Sequence, residues 1–271
     1  MQRAKGELVG KGLTAQVYAW GDGRVLKLFE SWRPGAKVEK EFAITRAVHA
    51  AGLPAPAVYE LVEVEGRKGI VFERVDGRSM FEQVVARPWQ LFVAARQLAN
   101  LHAQLHAIKA PAELPTLRER ISGWIDEAAE LPAAEKEELR RCLATLPDGN
   151  ALCHGDFHPA NILLSARGPI IIDWSGATRG HPLGDVARTS HLFEAADLPD
   201  DSPRHILWLF KVARAALHRT YLKHYFRLRP GNPGELQVWR PVQKAAAAVW
   251  RQLQNEERKV GFQLARDQTS A

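Results

Sequence analysis

His154-Gly155-Asp156-Phe157-His158-Pro159-Ala160-Asn161, followed by Ile170-Ile171-Ile172-Asp173, places an aspartate, an asparagine and a second aspartate where each could do chemistry. Those residue types in that order suit phosphoryl transfer. The reaction leaves little covalent work for a protein, which must supply a carboxylate beside the attacking hydroxyl and hard oxygen ligands for Mg²⁺. Asp156 fits the first role, and Asn161 with Asp173 the second. Alone, an Asp near an Asn is a turn, because both side chains bond nearby backbone. Here Leu152-Cys153 leads in, Ile162-Leu163-Leu164 leads out, and Ile170-Ile171-Ile172 delivers Asp173. Short apolar runs of this kind read as buried strands, with the polar residues on the connections.

Upstream residues could hold a nucleotide. Gly10-Lys11-Gly12 lies between two strand candidates, and glycines there let backbone N–H groups approach phosphate oxygens. A plain hairpin turn is the competing reading of that segment. Lys27 interrupts the apolar run Val25-Leu26-Lys27-Leu28-Phe29. It is either a lysine on the exposed face of an edge strand or an ammonium that meets phosphates and pairs with a carboxylate on the next helix. Glu41 is the better partner; Glu39 is two residues away and faces elsewhere on a helix. At Phe72-Glu73-Arg74-Val75 the last strand of this region ends, and the backbones of Glu73 and Val75 are candidates to meet an adenine ring.

These residues need elements to position them. The first seventy-five residues read mostly as strand: Val17–Trp20 and Val25–Phe29 flank the turn Gly21-Asp22-Gly23, and Val58–Val64 pairs with Gly69–Val75. Between them, Ala36 to Ala51 predicts a helix that Gly52 ends. After Asp76-Gly77 helices dominate, over Trp89–Ile108, Leu117–Leu131, Ala133–Leu146, Leu183–Ala196, Ile206–Tyr225 and Glu235–Glu257. His102 and His106 share a face four residues apart, but no Asp or Glu ligand accompanies them nearby, so a packed pair is expected rather than a metal site. The expected fold is α+β and bilobal, with a small β-rich lobe over 1–75 and a larger, mostly helical lobe over 76–271. A Walker-type Gly-x-x-x-x-Gly-Lys-Ser/Thr loop is absent.

The 271 residues, 46% hydrophobic and 25% charged, have the composition of a soluble globular chain. No apolar segment follows the first charged residues and none is long enough to span a bilayer, so a cytoplasmic protein is expected. Cys142 and Cys153 read as reduced thiols. The net charge of +6 is dispersed at helical spacings, as on a solvated face, and no recognition motif points to nucleic acid. Nor does any feature call for an obligate protein partner.

Together, from the glycine loop to about Arg188, these motifs resemble the aminoglycoside phosphotransferase (choline kinase-like) family of the protein-kinase-like fold. His154 to Leu163 resembles its His-Gly-Asp-x-His-x-x-Asn signature, Ile172-Asp173-Trp174 its metal-binding segment, and Gly180 to Ala187 the stretch that follows. The resemblance implies that Asp156 is the catalytic base, that Asn161 and Asp173 hold Mg²⁺, and that Lys27 and Glu41 form the ATP-site ion pair. It gives His154 and Asp185 structural roles around the catalytic loop. Ala15 departs from the third loop glycine of protein kinases, and Trp174-Ser175 replaces their Phe-Gly.

Only Trp174 to Gly184 separate Asp173 from Asp185, which leaves little room for a peptide-binding activation segment. A small hydroxylated acceptor is therefore expected: an antibiotic, a sugar or an amino alcohol. A protein kinase and a non-catalytic nucleotide-binding regulator are the alternatives. Acidic residues from Asp126 to Glu138 could attract a polycationic antibiotic, but Arg and Lys along the C-terminal helices would repel one, so a neutral or weakly charged acceptor is expected.

Overall fold

The computed structural model describes residues 5–196 and 203–269, so Met1 to Ala4 of the N-terminal stretch read above lie outside it. The chain begins with β1 (Leu8–Lys11), β2 (Ala15–Ala19) and β3 (Arg24–Phe29), continues through α1 (Gly35–Ala50), and returns as β4 (Val58–Val64) and β5 (Arg67–Glu73). These strands form one antiparallel sheet in the order β1-β2-β3-β5-β4. Strand alternation decides which residues face α1. Leu26 and Leu28 pack with Trp20 and Val71 on the outer face. Phe29 packs with Val38 of α1 on the inner face, and Lys27, two positions before it, shares that face. Val38, Glu41, Ile44, Thr45 and Val48 make the buried stripe of α1, so Glu41 is a carboxylate on an otherwise largely apolar seam.

β5 ends at Glu73, so Val75 lies beyond the strand that was expected to include it. Two elements absent from the sequence-based reading follow: β6 (Gly77–Ser79) and α2 (Met80–Ala86). Ser79 and Glu82 form a reciprocal capping box at the start of α2. Such a pair three residues apart marks a helix start, but seven residues are too short for periodicity to show. A 3₁₀ turn over Pro88–Gln90 then leads into α3 (Leu91–His106), which starts later than the expected Trp89.

The helical insert is α4 (Leu117–Glu127) and α5 (Ala133–Thr145). Next come β7 (Ala151–Cys153), β8 (Ile162–Ser165), β9 (Gly168–Ile171) and β10 (Thr178–Gly180). β7 pairs with β10, and β8 pairs with both β6 and β9. The remaining helices are α6 (Pro182–Ala195), α7 (Arg204–Leu228) and α8 (Leu236–Thr269). The largest core cluster lies here, with Met80, Leu98, Ile121, Phe157, Trp174, Tyr221 and Tyr225 fully buried. Among the described residues no helix is long and apolar enough to cross a membrane.

Glu257 of α8 joins the two halves, pairing with Lys37 and, at 3.3 Å, with Arg33. The backbone N–H of Ile171 also donates to Pro54 O at 2.7 Å, which fixes β9 beneath the segment that follows α1.

Candidate active site

The residues singled out by spacing converge on the cleft between sheet and helices. Lys27 Nζ lies 2.6 Å from Glu41 Oε1 and 3.2 Å from Asp173 Oδ1, so one ammonium joins β3, α1 and the residue after β9. Glu39, the alternative partner, lies on the exposed side of α1 and pairs with Lys68. Burial works against the charge of Lys27, but Asp173 and then Glu41 more than reverse this, and its pKa stands above the ordinary lysine value. Lys27 in turn holds the Asp173 carboxyl below its usual range. Burial pushes Glu41 up, with Lys27 only partly opposing it.

Asp173 has φ 60° and ψ 61°, a left-handed conformation uncommon for a residue with a side chain. Strained backbone of this kind persists where the surroundings over-determine it. Arg120 of α4 supplies part of that constraint, donating to Ser175 O and Ala177 O, both at 2.9 Å. Burial lowers the Arg120 pKa to about 10, which leaves it a cation at neutral pH.

Asp156 sits on the loop after β7. Asn161 Nδ2 donates to its backbone carbonyl at 2.9 Å and to Oδ2 at 3.2 Å, while His158 Nε2 lies 3.4 Å from Oδ2. Arg188 Nη2 stands 3.6 Å from Oδ1. Burial would raise the Asp156 pKa, but His158 and then Arg188 outweigh it, so the carboxyl is held low and ionised. Asn161 spends its amide N–H groups on Asp156 and leaves its carbonyl oxygen for a cation. That oxygen and the Asp173 carboxylate are hard donors of the kind Mg²⁺ takes, so the residues present fit the ion.

Asp185, at the start of α6, holds this loop from below. Its Oδ2 accepts from the His154 N–H at 2.6 Å and its Oδ1 from the Gly155 N–H at 2.8 Å. The same Oδ2 meets His102 Nε2 at 3.1 Å and His106 Nε2 at 3.3 Å. The two histidines therefore do have a carboxylate partner, 79 or more residues away in sequence, contrary to the reading of the chain alone. Their Nδ1 atoms lie 2.7 Å from Tyr221 Oη and 2.6 Å from Tyr225 Oη. With a tyrosine hydroxyl donating to each Nδ1, the ring proton sits on Nε2 and faces Asp185. Every ring nitrogen of the pair is thus engaged in a buried polar network. Burial lowers both histidine pKa values, that of His106 to about 3.

His154 Nε2 lies 3.1 Å from Ile172 O, and its Nδ1 accepts from the Asp156 N–H at 3.2 Å. One ring therefore ties the loop bearing Asp156 to the strand end bearing Asp173. Gly155 has φ +78°, and a Cβ there would meet Gly176 O at 2.3 Å, so the two loops touch backbone to backbone.

The nucleotide-side residues are less fully shaped. Gly10 lies in β1 and Gly12 starts the turn to β2, with its N–H on Ala15 O at 2.9 Å. A Cβ at Gly10 would find open space. Glu73 spends its N–H on Ala57 O at 2.9 Å, so a base could meet only its carbonyl, along with the backbone of Val75.

His158, Arg188 and Arg120 had been given no role from the sequence. His158 lay inside the recognised string, whereas the arginines gave no local signal because their partners are 32 and 55 residues away. Two defined cavities, of about 170 Å³ and 300 Å³, lie away from these residues: one is lined by Arg118, Asp148, Arg179 and Trp239, the other by Met80, Gln97 and Leu164. The candidate site is the open cleft.

The chain is similar to known proteins. Acyl-CoA dehydrogenase family member 11 of Gallus gallus is 32% identical over 182 residues, covering 58% of this chain and 23% of its own length. This chain therefore spans about a quarter of that relative. Among solved structures, an aminoglycoside-3'-phosphotransferase of type VIII superposes with a TM-score of 0.58 at 22% identity, covering 89% of this chain and 91% of that one. A choline/ethanolamine kinase family protein from Mesorhizobium loti superposes with a TM-score of 0.57 at 21% identity, covering 92% of this chain and 80% of that one. Both show that the fold is the kinase-like one expected. With a match of the family model over residues 5–230, the chain belongs to the phosphotransferase enzyme family.

Proposed function

We propose that this protein is a small-molecule kinase that moves the γ-phosphoryl group of ATP to a hydroxyl, with Mg²⁺ as cofactor. The observation that carries this reading is the convergence of Lys27, Asp173, Asn161 and Asp156 on one cleft, each through contacts of 3.2 Å or less to another member or to Glu41. Residues 1–75 would form the nucleotide lobe and 76–271 the catalytic and acceptor lobe.

Asp156, held ionised by His158 and Arg188, takes the proton of the acceptor hydroxyl as its oxygen attacks the γ-phosphorus and ADP leaves. Lys27, oriented by Glu41, supplies positive charge to the phosphates. Asn161 and Asp173 would hold Mg²⁺, which when bound neutralises charge on the phosphate oxygens. His154 and Asp185 touch neither partner and instead fix the loop. Gly10 and Gly12 leave space for phosphate oxygens to approach backbone, and the carbonyl of Glu73 with the backbone of Val75 would receive the base.

The segment after Asp173 supports a small acceptor. A 3₁₀ turn over Trp174–Gly176 and the three residues of β10 lead directly into α6 at Pro182, so no peptide platform is built there. A screen of hydroxylated metabolites and antibiotics for acceptor-dependent ADP release, with Mg²⁺, tests the reading. Wild type should release ADP and Asp156→Asn should not. Equal release by both would refute the base assignment, and labelling of protein substrates would refute the small acceptor.

A further inference from the structure

Arg188 is the one guanidinium within 4 Å of Asp156 among the described residues, and it is itself buried. Its Nε donates to Gly155 O at 3.1 Å, and its guanidinium lies 5.9 Å from the ring centre of Trp250 on α8. The same helix carries the cations Lys244 and Arg251. These are seven residues apart, two helical turns, and so lie on one stripe. Both are exposed, and among the described residues neither has an ion-pair partner. His191, one turn after Arg188, stands among them: burial and then Arg188 lower its pKa, with Arg251 and Lys244 adding to the effect. Glu194 is the carboxylate that opposes them, and Arg240 already engages it at 3.4 Å.

Four of the six acidic residues between Asp126 and Glu138, which could attract a cationic acceptor, are paired elsewhere. Asp126 and Glu137 pair with Arg140, Glu138 with Arg141, and Glu127 with Lys37. None of these contacts reaches Asp156. Among the described residues, Lys244 and Arg251 therefore stand beside α6 as cations without carboxylate partners, an arrangement that an anion would stabilise.

Resting on the phosphotransferase reading, we propose that the acceptor is a small hydroxylated anion, its carboxylate or phosphate held by Arg188, Lys244 and Arg251 beside Asp156. This revises the neutral or weakly charged acceptor expected from sequence. Arg188 serves both partners, since it touches Asp156 on one side and leaves guanidinium N–H groups for the acceptor on the other. An anion brought toward an ionised Asp156 would otherwise be repelled.

The test measures ADP release with Mg·ATP and matched acceptors: glycerol, glycerate and glycerol 3-phosphate; glucose, gluconate and glucosamine; choline and kanamycin. Wild type is compared with Lys244→Glu/Arg251→Glu, both positions being exposed. The anionic compounds should give the highest kcat/KM, and their KM should rise with salt. The double substitution should raise that KM by about tenfold or more while kcat and the KM for ATP stay within about twofold. Preference for a neutral or cationic compound, or an unchanged KM in the variant, overturns the anion assignment and leaves phosphotransfer standing. No release above that of Asp156→Asn with any compound overturns the phosphotransferase reading, and this assignment with it.

Discussion

Lys27 reaches across the cleft to Asp173: its Nζ lies 3.2 Å from Oδ1, between residues 146 apart in sequence. The ammonium occupies the flank of a carboxylate proposed to hold Mg²⁺, while Glu41 holds it from the other side at 2.6 Å. Lys27→Met keeps the length of the side chain and removes the charge. It should lower kcat/KM for ATP by roughly 10²–10³-fold, the scale of losing one oriented electrostatic contact. Because Glu41 is then left buried without its partner, the variant should also lose up to about 3 kcal/mol of stability. Steady-state kinetics and urea unfolding would check the two effects separately. An unchanged kcat/KM would remove Lys27 from the site.

Asp156→Asn preserves shape and removes the base. The carboxyl is held low by its neighbours and so is ionised at neutral pH, which makes it ready to accept a proton. Rapid-quench phosphotransfer should slow by about 10²–10⁴-fold, while ATP binding measured by calorimetry stays within about threefold. A variant that transfers phosphate at the wild-type rate would sink the assignment.

Most of the candidate site residues were legible because their neighbours in sequence are apolar strands. Asp156, Asn161 and Asp173 stand out between Leu152-Cys153, Ile162-Leu163-Leu164 and Ile170-Ile171-Ile172. Lys27 and Glu41 were readable for the same reason, each being a charge on a strand or helix stripe that is otherwise largely apolar. The sheet of the small lobe and the order of the long helices also followed from periodicity. Short elements did not: β6, α2 and β10 are three to seven residues long, below the length at which a period can be seen. The network around Asp185 was hidden because it is entirely long-range. His102 and His106 meet Tyr221 and Tyr225 across 119 residues, and nothing local to any of the four signals the others.

Gly155→Ala and Gly10→Ala form a contrasting pair. At Gly155 a Cβ meets Gly176 O at 2.3 Å and the backbone is left-handed, so alanine is both strained and blocked. Stability should fall by about 2 kcal/mol or more, and activity with it, because the loops bearing Asp156 and Asp173 are pushed apart. At Gly10 a Cβ has open space, so stability should stay within about 0.5 kcal/mol. If Gly10 faces phosphates, its alanine variant should instead raise the KM for ATP. Thermal unfolding and ATP titrations of both variants decide this, and equal stabilities would show that the loops do not need their close approach.

The buried histidines should make the fold acid-labile well above the carboxylate range. His106 titrates at about 3 in the folded chain, and burial lowers His102 and His154 as well. Unfolded histidine titrates near 6.5, so below that pH the unfolded chain binds more protons than the folded one. Stability is therefore full above about pH 6.5 and lost as pH falls toward the folded values, by up to about 1.4 kcal/mol per pH unit for each such histidine. Asp185 does not account for this window. Its folded pKa lies well below the ordinary value, so its contribution is present above about pH 3.9 and is lost only in stronger acid. His106→Gln separates the two, since glutamine can still donate to Asp185 but does not titrate. Calorimetric Tm values between pH 8 and pH 4 should fall less steeply in this variant, whatever its Tm at pH 8. Identical slopes for variant and wild type would mean that His106 is not held neutral by its burial.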